Sequence, residues 1–205
     1  MPRPELMVFQ PLEVLPGEDR VLARTGCPPS RRGGFGVEAG KALGTLSETA
    51  VPRAAVLTMR ILEIDEELIR TGNIRIQSRS LAGSLSGAEL VSLFAVTIGP
   101  GPEEEARRLQ QEGYHTASFF LDGASSSMVE RLSAEVLRRL ASKQGVHMPT
   151  ARFAPGFGDF HLSYQRDIIE LLNAGAAGIT LQEDSCMLLP VKSGTGVIGW
   201  IRPIS

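Results

Sequence analysis

Apolar residues recur along the chain at helical spacing in four segments, and several of these carry boundary signals. The first segment ends before Pro52, because the residue before a proline disfavours helical backbone angles. The second begins at Pro102 with three glutamates, whose carboxylates complement the free N–H groups of a first helical turn. The spacing therefore predicts helices over residues 37–50, 102–113, 117–142 and 164–173.

Other segments are dense in β-branched and large apolar residues, which predicts strands. The clearest is LVSLFAVTI at residues 90–98, which ends at a Gly-Pro-Gly-Pro run. Further extended segments are predicted at 54–64, 74–77, 178–182, 186–189 and 197–202, with an irregular loop at 151–159. Strands and helices do not alternate as in βαβ units, so we predict an α+β fold with mainly antiparallel strands. A length of 205 residues suits one domain, residues 1–205.

Two regions carry more specific expectations about packing. Residues 1–36 are rich in Pro and Gly and cannot propagate a long helix, although Val21-Leu22-Ala23 is predicted to form a short strand or turn. In the long helix, the small residues Gly123 to Ser127 predict that a neighbouring element packs closely against its backbone.

Charge and composition exclude several classes of function. A formal net charge of -2 gives no bulk attraction to nucleic acid or to anionic membranes. No uncharged apolar run approaches the roughly 20 residues of a membrane span, and residues 1–10 lack the apolar core of a signal peptide. We therefore expect a soluble, cytoplasmic protein. The two cysteines are too few for a disulfide framework, and Cys186, beside Met187 and two leucines, is expected to be a buried, inert thiol.

Several motifs fail on inspection, and none supplies a catalytic group or a metal site. Gly40-Lys41 resembles the end of a phosphate-binding loop. However, Phe35 stands where that loop has its first glycine, and Ala42 stands where it has a serine or threonine. The three histidines share no metal-ligand spacing with each other or with the cysteines, and no G-x-S-x-G elbow is present. Asp159-Phe160-His161 resembles the start of the Asp-x-His-x-x-Gly loop that supplies a histidine to cobalt, but Tyr164 stands at the glycine position. The chain is therefore not expected to carry cobalamin itself.

The last third of the chain holds an ordered set of motifs. Arg152-Phe153-Ala154-Pro155-Gly156-Phe157 is similar to an Arg-x-x-Pro-Gly-Tyr signature. It is followed by Gly178-Ile179-Thr180-Leu181, by Glu183-Asp184-Ser185, by Leu189-Pro190 and by Ser193-Gly194-Thr195-Gly196. Their order, from about residue 90 to 202, resembles the activation domain of cobalamin-dependent methionine synthase.

The resemblance implies that the protein binds S-adenosylmethionine. Arg152 would pair with the carboxylate of the ligand, Pro155-Gly156 would let the main chain approach it, and the Phe157 ring would pack on its sulfonium. The ligand-binding residues implied are Arg152, Ala154, Pro155, Gly156, Phe157, Glu183 and Ser185, although a local hydrogen-bonded pair remains open for Glu183 and Ser185. The chain departs from the family in two ways: Phe157 replaces a tyrosine, and the family's N-terminal acidic contact has no recognisable counterpart.

The resemblance also implies a partner. In the family, S-adenosylmethionine methylates cobalamin while an electron donor reduces the metal, which restores the active enzyme. Because the domain nearly fills this chain, we expect a stand-alone reactivation subunit acting on a cobalamin-binding methionine synthase, or another corrinoid methyltransferase, that lacks its own activation domain. A flavodoxin- or ferredoxin-type protein would be the electron donor. Two alternatives stay open: a module that caps a corrinoid protein without binding S-adenosylmethionine, and an unrelated small-molecule enzyme that reuses the fold.

Overall fold

The structure is a computed structural model that describes residues 2–145 and 147–203. Within these residues the chain forms nine strands and seven α-helices. The strands are β1 (Glu5–Val8), β2 (Arg53–Ile64), β3 (Leu68–Thr71), β4 (Arg75–Gln77), β5 (Ala88–Thr97), β6 (Met148–Pro149), β7 (Thr180–Leu181), β8 (Leu188–Leu189) and β9 (Ser193–Ile201). The helices are α1 (Pro11–Val14), α2 (Glu18–Arg24), α3 (Gly36–Thr49), α4 (Arg79–Ser84), α5 (Gly101–Gln111), α6 (His115–Gln144) and α7 (Tyr164–Leu171), with 3-10 turns at Pro29–Gly34 and Ala174–Ala177.

Seven strands form one sheet in the order β4-β3-β2-β5-β9-β6, and β1 pairs with β2 beside that path. Every pairing described is antiparallel, and β7 and β8 form a separate hairpin. The long strands β2, β5 and β9 lie at the centre of the sheet. The sheet therefore separates two hydrophobic cores, and side chains of these strands pack into both. The predicted α+β class is confirmed.

Alternation along the central strands assigns residues to the two faces of the sheet. In β5, Phe94 and Val96 pack into a first core together with α2, α3 and α6. Leu93 and Ala95 point the other way, into a second core with α4, α7 and the residues that follow α7. Helices therefore cover both faces of an antiparallel sheet, which explains why β5 is buried almost throughout.

Close packing against the small residues of α6 is confirmed. A Cβ atom added to Gly123 would lie 2.8 Å from the Cγ2 atom of Thr25, which follows α2. Gly123, Ala124, Ser125 and Ser127 are buried, and the Ser125 and Ser127 hydroxyls donate to carbonyls one turn earlier in the helix. The small residues thus let α2 approach the backbone of α6.

The other predicted helices and strands are present with boundaries shifted by a few residues, and β9 begins four residues earlier than expected. The prediction for Val21-Leu22-Ala23 is wrong, because these residues lie in α2. Glu18 and Asp19 occupy the first turn of that helix, while Val21 and Leu22 are buried against the first core. Short helices of this kind depend on tertiary packing more than on local propensity, so the Pro- and Gly-rich composition was misleading. The sequence predicts none of β1, β3, β6, α1 and α4 either.

Candidate functional site

Backbone pairing with the central sheet fixes the start of the loop at residues 152–157. The Phe153 N–H donates to the Val197 carbonyl at 2.9 Å, and the Val197 N–H donates back to the Phe153 carbonyl at 2.7 Å. The half-buried Phe153 ring packs on the second core, with its centroid 6.3 Å from that of Phe160. The loop is therefore attached to β9 beyond the end of the short strand β6.

The middle of this loop is a tight turn. Pro155 is buried, and Gly156 follows with a φ of 94°, in the left-handed region that favours glycine. The Gly156 N–H donates to the Phe160 carbonyl at 2.7 Å, and the Phe157 N–H donates to the Ala154 carbonyl at 3.2 Å. These internal hydrogen bonds define the loop shape without help from the side chains of Arg152 or Phe157.

Arg152 and Phe157 both point into solvent. Arg152 is exposed, and among the described residues its guanidinium forms no ion pair. Phe157 is 64% exposed, and its ring meets Phe153 edge to face with centroids 6.3 Å apart. A free guanidinium and an exposed ring on one loop with a fixed backbone are suited to a ligand that carries a carboxylate and a cation.

The second predicted segment is the turn of the β7–β8 hairpin. Glu183 is exposed and lines a cleft of about 350 Å³ with Arg166, whose Nη2 donates to the Glu183 carbonyl at 3.1 Å. The Ser185 hydroxyl donates to Gln182 Oε1 at 3.1 Å and accepts from the Met187 N–H at 3.3 Å. The Ser185 hydroxyl therefore bonds locally to Gln182 and Met187 and not to Glu183. The Glu183 carboxylate is free of such a bond among the described residues.

Gln165 of α7 ties this hairpin turn to the central sheet. Its Nε2 donates to the Cys186 carbonyl at 2.6 Å, and its Oε1 accepts from Thr195 Oγ1 of β9 at 2.9 Å. Thr195 precedes Val197 by two residues, about 7 Å along a strand. The loop at 152–157 and the hairpin turn are thus attached to the same short stretch of β9, the loop through its backbone and the hairpin turn through the Gln165 side chain.

Sequence reasoning missed Gln165, although a signal was present. Gln165, Ile168 and Ile169 share the buried face of α7. A polar residue at an apolar position of an amphipathic helix indicates a buried hydrogen-bonding role.

Asp159 has a structural role that its sequence context did not suggest. Its Oδ1 accepts from Ser78 Oγ at 2.7 Å and from the Ser80 N–H at 3.0 Å, while Oδ2 accepts from the Arg79 N–H at 2.8 Å. These donors, the Ser78 hydroxyl above all, hold the pKa of Asp159 well below its usual range. The carboxylate thus caps α4, and His161 instead bonds Ser163, with Nδ1 2.8 Å from its hydroxyl.

The expectation of a buried thiol at Cys186 is wrong. Cys186 is half-buried in the hairpin turn, where its φ of 55° is in the left-handed region. The turn carries its apolar neighbours outward as well, since Met187 is 52% exposed. The apolar composition around Cys186 therefore reflects a surface hairpin and not a buried strand.

The comparisons with known proteins support the fold. A scan against protein-family models finds no match, and a search of curated proteins finds none either. Among solved structures, the chain is similar to the MetH reactivation domain bound to AdoHcy, with a TM-score of 0.71 and 16% sequence identity. The match covers 98% of this chain and 79% of that chain.

No helix in the described part of the chain is both long enough and apolar enough to cross a membrane. The resemblance predicted from the order of motifs is confirmed for the architecture, and it extends from residues 90–202 to nearly the whole chain. The chain therefore has the fold of the MetH reactivation domain.

Proposed function

We propose that the protein binds S-adenosylmethionine and serves as a reactivation domain for a cobalamin-dependent methyltransferase, with methionine synthase as the first candidate. The cobalamin would be carried by a partner protein. One observation carries the proposal. The similarity in fold to the MetH reactivation domain covers 98% of this chain, and that domain was solved with AdoHcy bound. The exposed side chains on the fixed loop at residues 152–157 give that likeness a chemical basis.

Six of the seven site residues are given roles that follow from their positions, and Ser185 is not, because its hydroxyl bonds Gln182 and Met187. The Arg152 guanidinium pairs with the carboxylate of the methionine portion, since it is exposed and forms no competing ion pair among the described residues. Gly156 carries no side chain to obstruct the ligand, and Ala154 and Pro155 shape the turn before it. The Phe157 ring packs against the sulfonium, an attraction between a cation and an aromatic face. Glu183 offers a free carboxylate to the ligand's ammonium.

The reaction places few demands on this chain. S-adenosylmethionine supplies a methyl cation, a reductant supplies one electron to cob(II)alamin, and the products are methylcobalamin and S-adenosylhomocysteine. No proton is transferred, so no residue has to act as acid or base. The chain contributes binding and orientation, which are effective because they convert an encounter into a positioned reaction.

A second candidate function is a module that docks on a corrinoid protein without holding S-adenosylmethionine. One observation favours it: Asp159, the carboxylate nearest to the loop in sequence, is committed to Ser78, Arg79 and Ser80. The loop itself therefore offers no free acidic group to the ligand's ammonium.

Two measurements separate these functions. Calorimetric titration of the purified protein with S-adenosylmethionine and with S-adenosylhomocysteine measures binding directly. Visible spectroscopy of a cobalamin-loaded methionine synthase that lacks its activation domain, with a reductant and S-adenosylmethionine, measures the conversion of cob(II)alamin to methylcobalamin.

We expect binding of both ligands and a conversion that is faster when the protein is added. Faster conversion in the presence of a variant that no longer binds S-adenosylmethionine would favour the docking module. Absence of both binding and acceleration would refute the proposed function.

A further inference from the structure

The segment after the loop at residues 152–157 is held against a part of the chain that is distant in sequence. The Asp159 carboxylate accepts hydrogen bonds from Ser78, Arg79 and Ser80, at 2.7, 2.8 and 3.0 Å. The partners are 79 to 81 residues away along the chain. These are charge-assisted bonds to one side chain, so together they hold it more firmly than neutral hydrogen bonds do.

Two further contacts hold the same two segments together. Gly158 has a φ of 55°, and a Cβ atom there would lie 2.5 Å from Ser80 Oγ, so the backbone comes very close to α4. Tyr164 Oη accepts from the Gln77 N–H at 3.0 Å, and the Tyr164 ring packs on Phe160 with centroids 5.5 Å apart. Residues 158–164 therefore contact residues 77–80 at three separate points.

We propose that Asp159 is a positioning residue that latches the C-terminal end of the loop at residues 152–157 onto the start of α4. The N-terminal end is already fixed, because Phe153 pairs with Val197 of β9. With both ends fixed, the backbone that carries Arg152 and Phe157 is held in one arrangement, and less backbone freedom is lost when a ligand binds. The identity of the ligand rests on the proposed function, but the latch is a property of the protein alone and can be measured without a ligand.

The latch depends on a carboxylate and not merely on a polar side chain. Three donors converge on two oxygen atoms, and all three require acceptors. An asparagine offers one oxygen, which can still serve Ser78 and Ser80, but its NH₂ group would then face the Arg79 N–H. Asp159→Asn is thus expected to keep part of the latch, and Asp159→Ala to lose it.

Amide hydrogen exchange tests the latch without any ligand. We would compare wild type, Asp159→Asn and Asp159→Ala with the control Asp167→Asn, which changes an exposed aspartate on α7. In Asp159→Ala we expect exchange at Arg79, Ser80 and Gly156 to rise about tenfold or more, the effect of losing hydrogen bonds to a charged group. Asp159→Asn should show a smaller rise, while the control and the amides of β5 should not change.

Titration with S-adenosylmethionine gives the second readout. Affinity should fall about threefold to tenfold in Asp159→Ala, less in Asp159→Asn, and not in the control, because loss of preorganisation weakens binding without removing a ligand contact. If Asp159→Ala unfolds, the smaller changes in amide exchange and in affinity that are expected for Asp159→Asn become the test of the latch.

The outcomes are distinguishable. Faster exchange at Arg79 and Ser80 with unchanged exchange at Gly156 would overturn the latch, since Asp159 would then only cap α4. Unchanged affinity in a variant with a loosened loop would overturn the positioning role. A wild-type protein that binds no S-adenosylmethionine, but whose loop still loosens in Asp159→Ala, would support the latch and refute the proposed ligand.

Discussion

Thr195 Oγ1 donates a hydrogen bond to the side-chain oxygen of Gln165 at 2.9 Å, and this contact joins α7 to the central strand β9. The same amide donates through Nε2 to the Cys186 carbonyl at 2.6 Å. Gln165 is only 7% exposed, so neither of its bonds can be replaced easily by water. One buried amide therefore couples the hairpin turn that carries Glu183 to the strand that anchors the loop at residues 152–157.

Gln165→Leu removes both hydrogen bonds while keeping a side chain of similar size. It leaves the Thr195 hydroxyl and the Cys186 carbonyl without this partner, and such losses cost about 1–3 kcal/mol. Urea denaturation should show that decrease in the free energy of unfolding. Gln111→Leu, at an exposed position on α5, should stay within about 0.5 kcal/mol of wild type. An equal effect of the two changes would mean that the Gln165 bonds contribute nothing specific.

The Ser193-Gly194-Thr195-Gly196 motif gives a matched pair of glycine substitutions. A Cβ atom at Gly196 would lie 2.4 Å from Cζ of Phe94, a fully buried ring, whereas one at Gly194 would meet its nearest neighbours at an ordinary 3.8 Å. Gly196→Ala should therefore destabilise the protein by about 1–3 kcal/mol, the usual effect of overpacking. Thermal unfolding of Gly194→Ala is the control and should be close to wild type. Similar melting temperatures for the two variants would contradict the packing explanation.

Sequence reasoning found those parts of the fold that depend on local pattern. The strand at residues 90–98 and the long helix are recognisable because their apolar spacing extends over many residues. The helix α2 was missed since its stability comes from burial of Val21 and Leu22 against α6, which no local pattern records. Sequence motifs located the loop at residues 152–157, but Gln165 and Asp159 act through partners that are 30 and about 80 residues away. Such pairings depend on topology, so one sequence does not reveal them.

Glu135 gives a prediction about pH. Hydrogen bonds from Arg138 and then Arg139 lower the pKa of Glu135 to about 2, from a usual 4.5. A carboxylate whose pKa is lower in the folded state than in the unfolded state stabilises the folded state at every pH above the unfolded-state pKa. This contribution is lost as the pH falls to the folded-state pKa. The stability difference between wild type and Glu135→Gln should thus be constant above about pH 4.5 and disappear towards pH 2.

The size of this difference should be modest, a few tenths of a kcal/mol for each helical ion pair, because solvent screening of the exposed Arg138 makes it much smaller than the pKa difference alone implies. Urea denaturation at pH 7 and at pH 3 measures it, and 1 M salt should reduce it. Glu66→Gln, in the exposed turn between β2 and β3, is the control. A difference that is the same at pH 3 as at pH 7 would show that the ion pairs are not its cause.

Arg152→Ala tests the proposed ligand contact. The side chain is exposed and makes no ion pair among the described residues, so its removal should leave the melting temperature unchanged. Affinity for S-adenosylmethionine should fall by about 1.5–3 kcal/mol, the range for hydrogen bonds to charged groups. Arg60→Ala, at an exposed position on β2, is the matched control for loss of a positive charge. Normal binding by Arg152→Ala would remove this residue from the site, and a much lower melting temperature would make it structural.

Phe157→Tyr restores the tyrosine that the motif has in the methionine synthase activation domain. Because the Phe157 ring is 64% exposed, a hydroxyl group at its end can be added without burying an unsatisfied donor. The melting temperature should not change, and calorimetry should show tighter binding of S-adenosylmethionine by about 0.5–1.5 kcal/mol, the usual net value of one hydrogen bond. Phe157→Leu keeps an apolar side chain but removes the aromatic face, so it should weaken S-adenosylmethionine more than S-adenosylhomocysteine, which has no sulfonium charge. Equal losses for the two ligands would show that Phe157 contributes apolar contact and not an attraction for the cation.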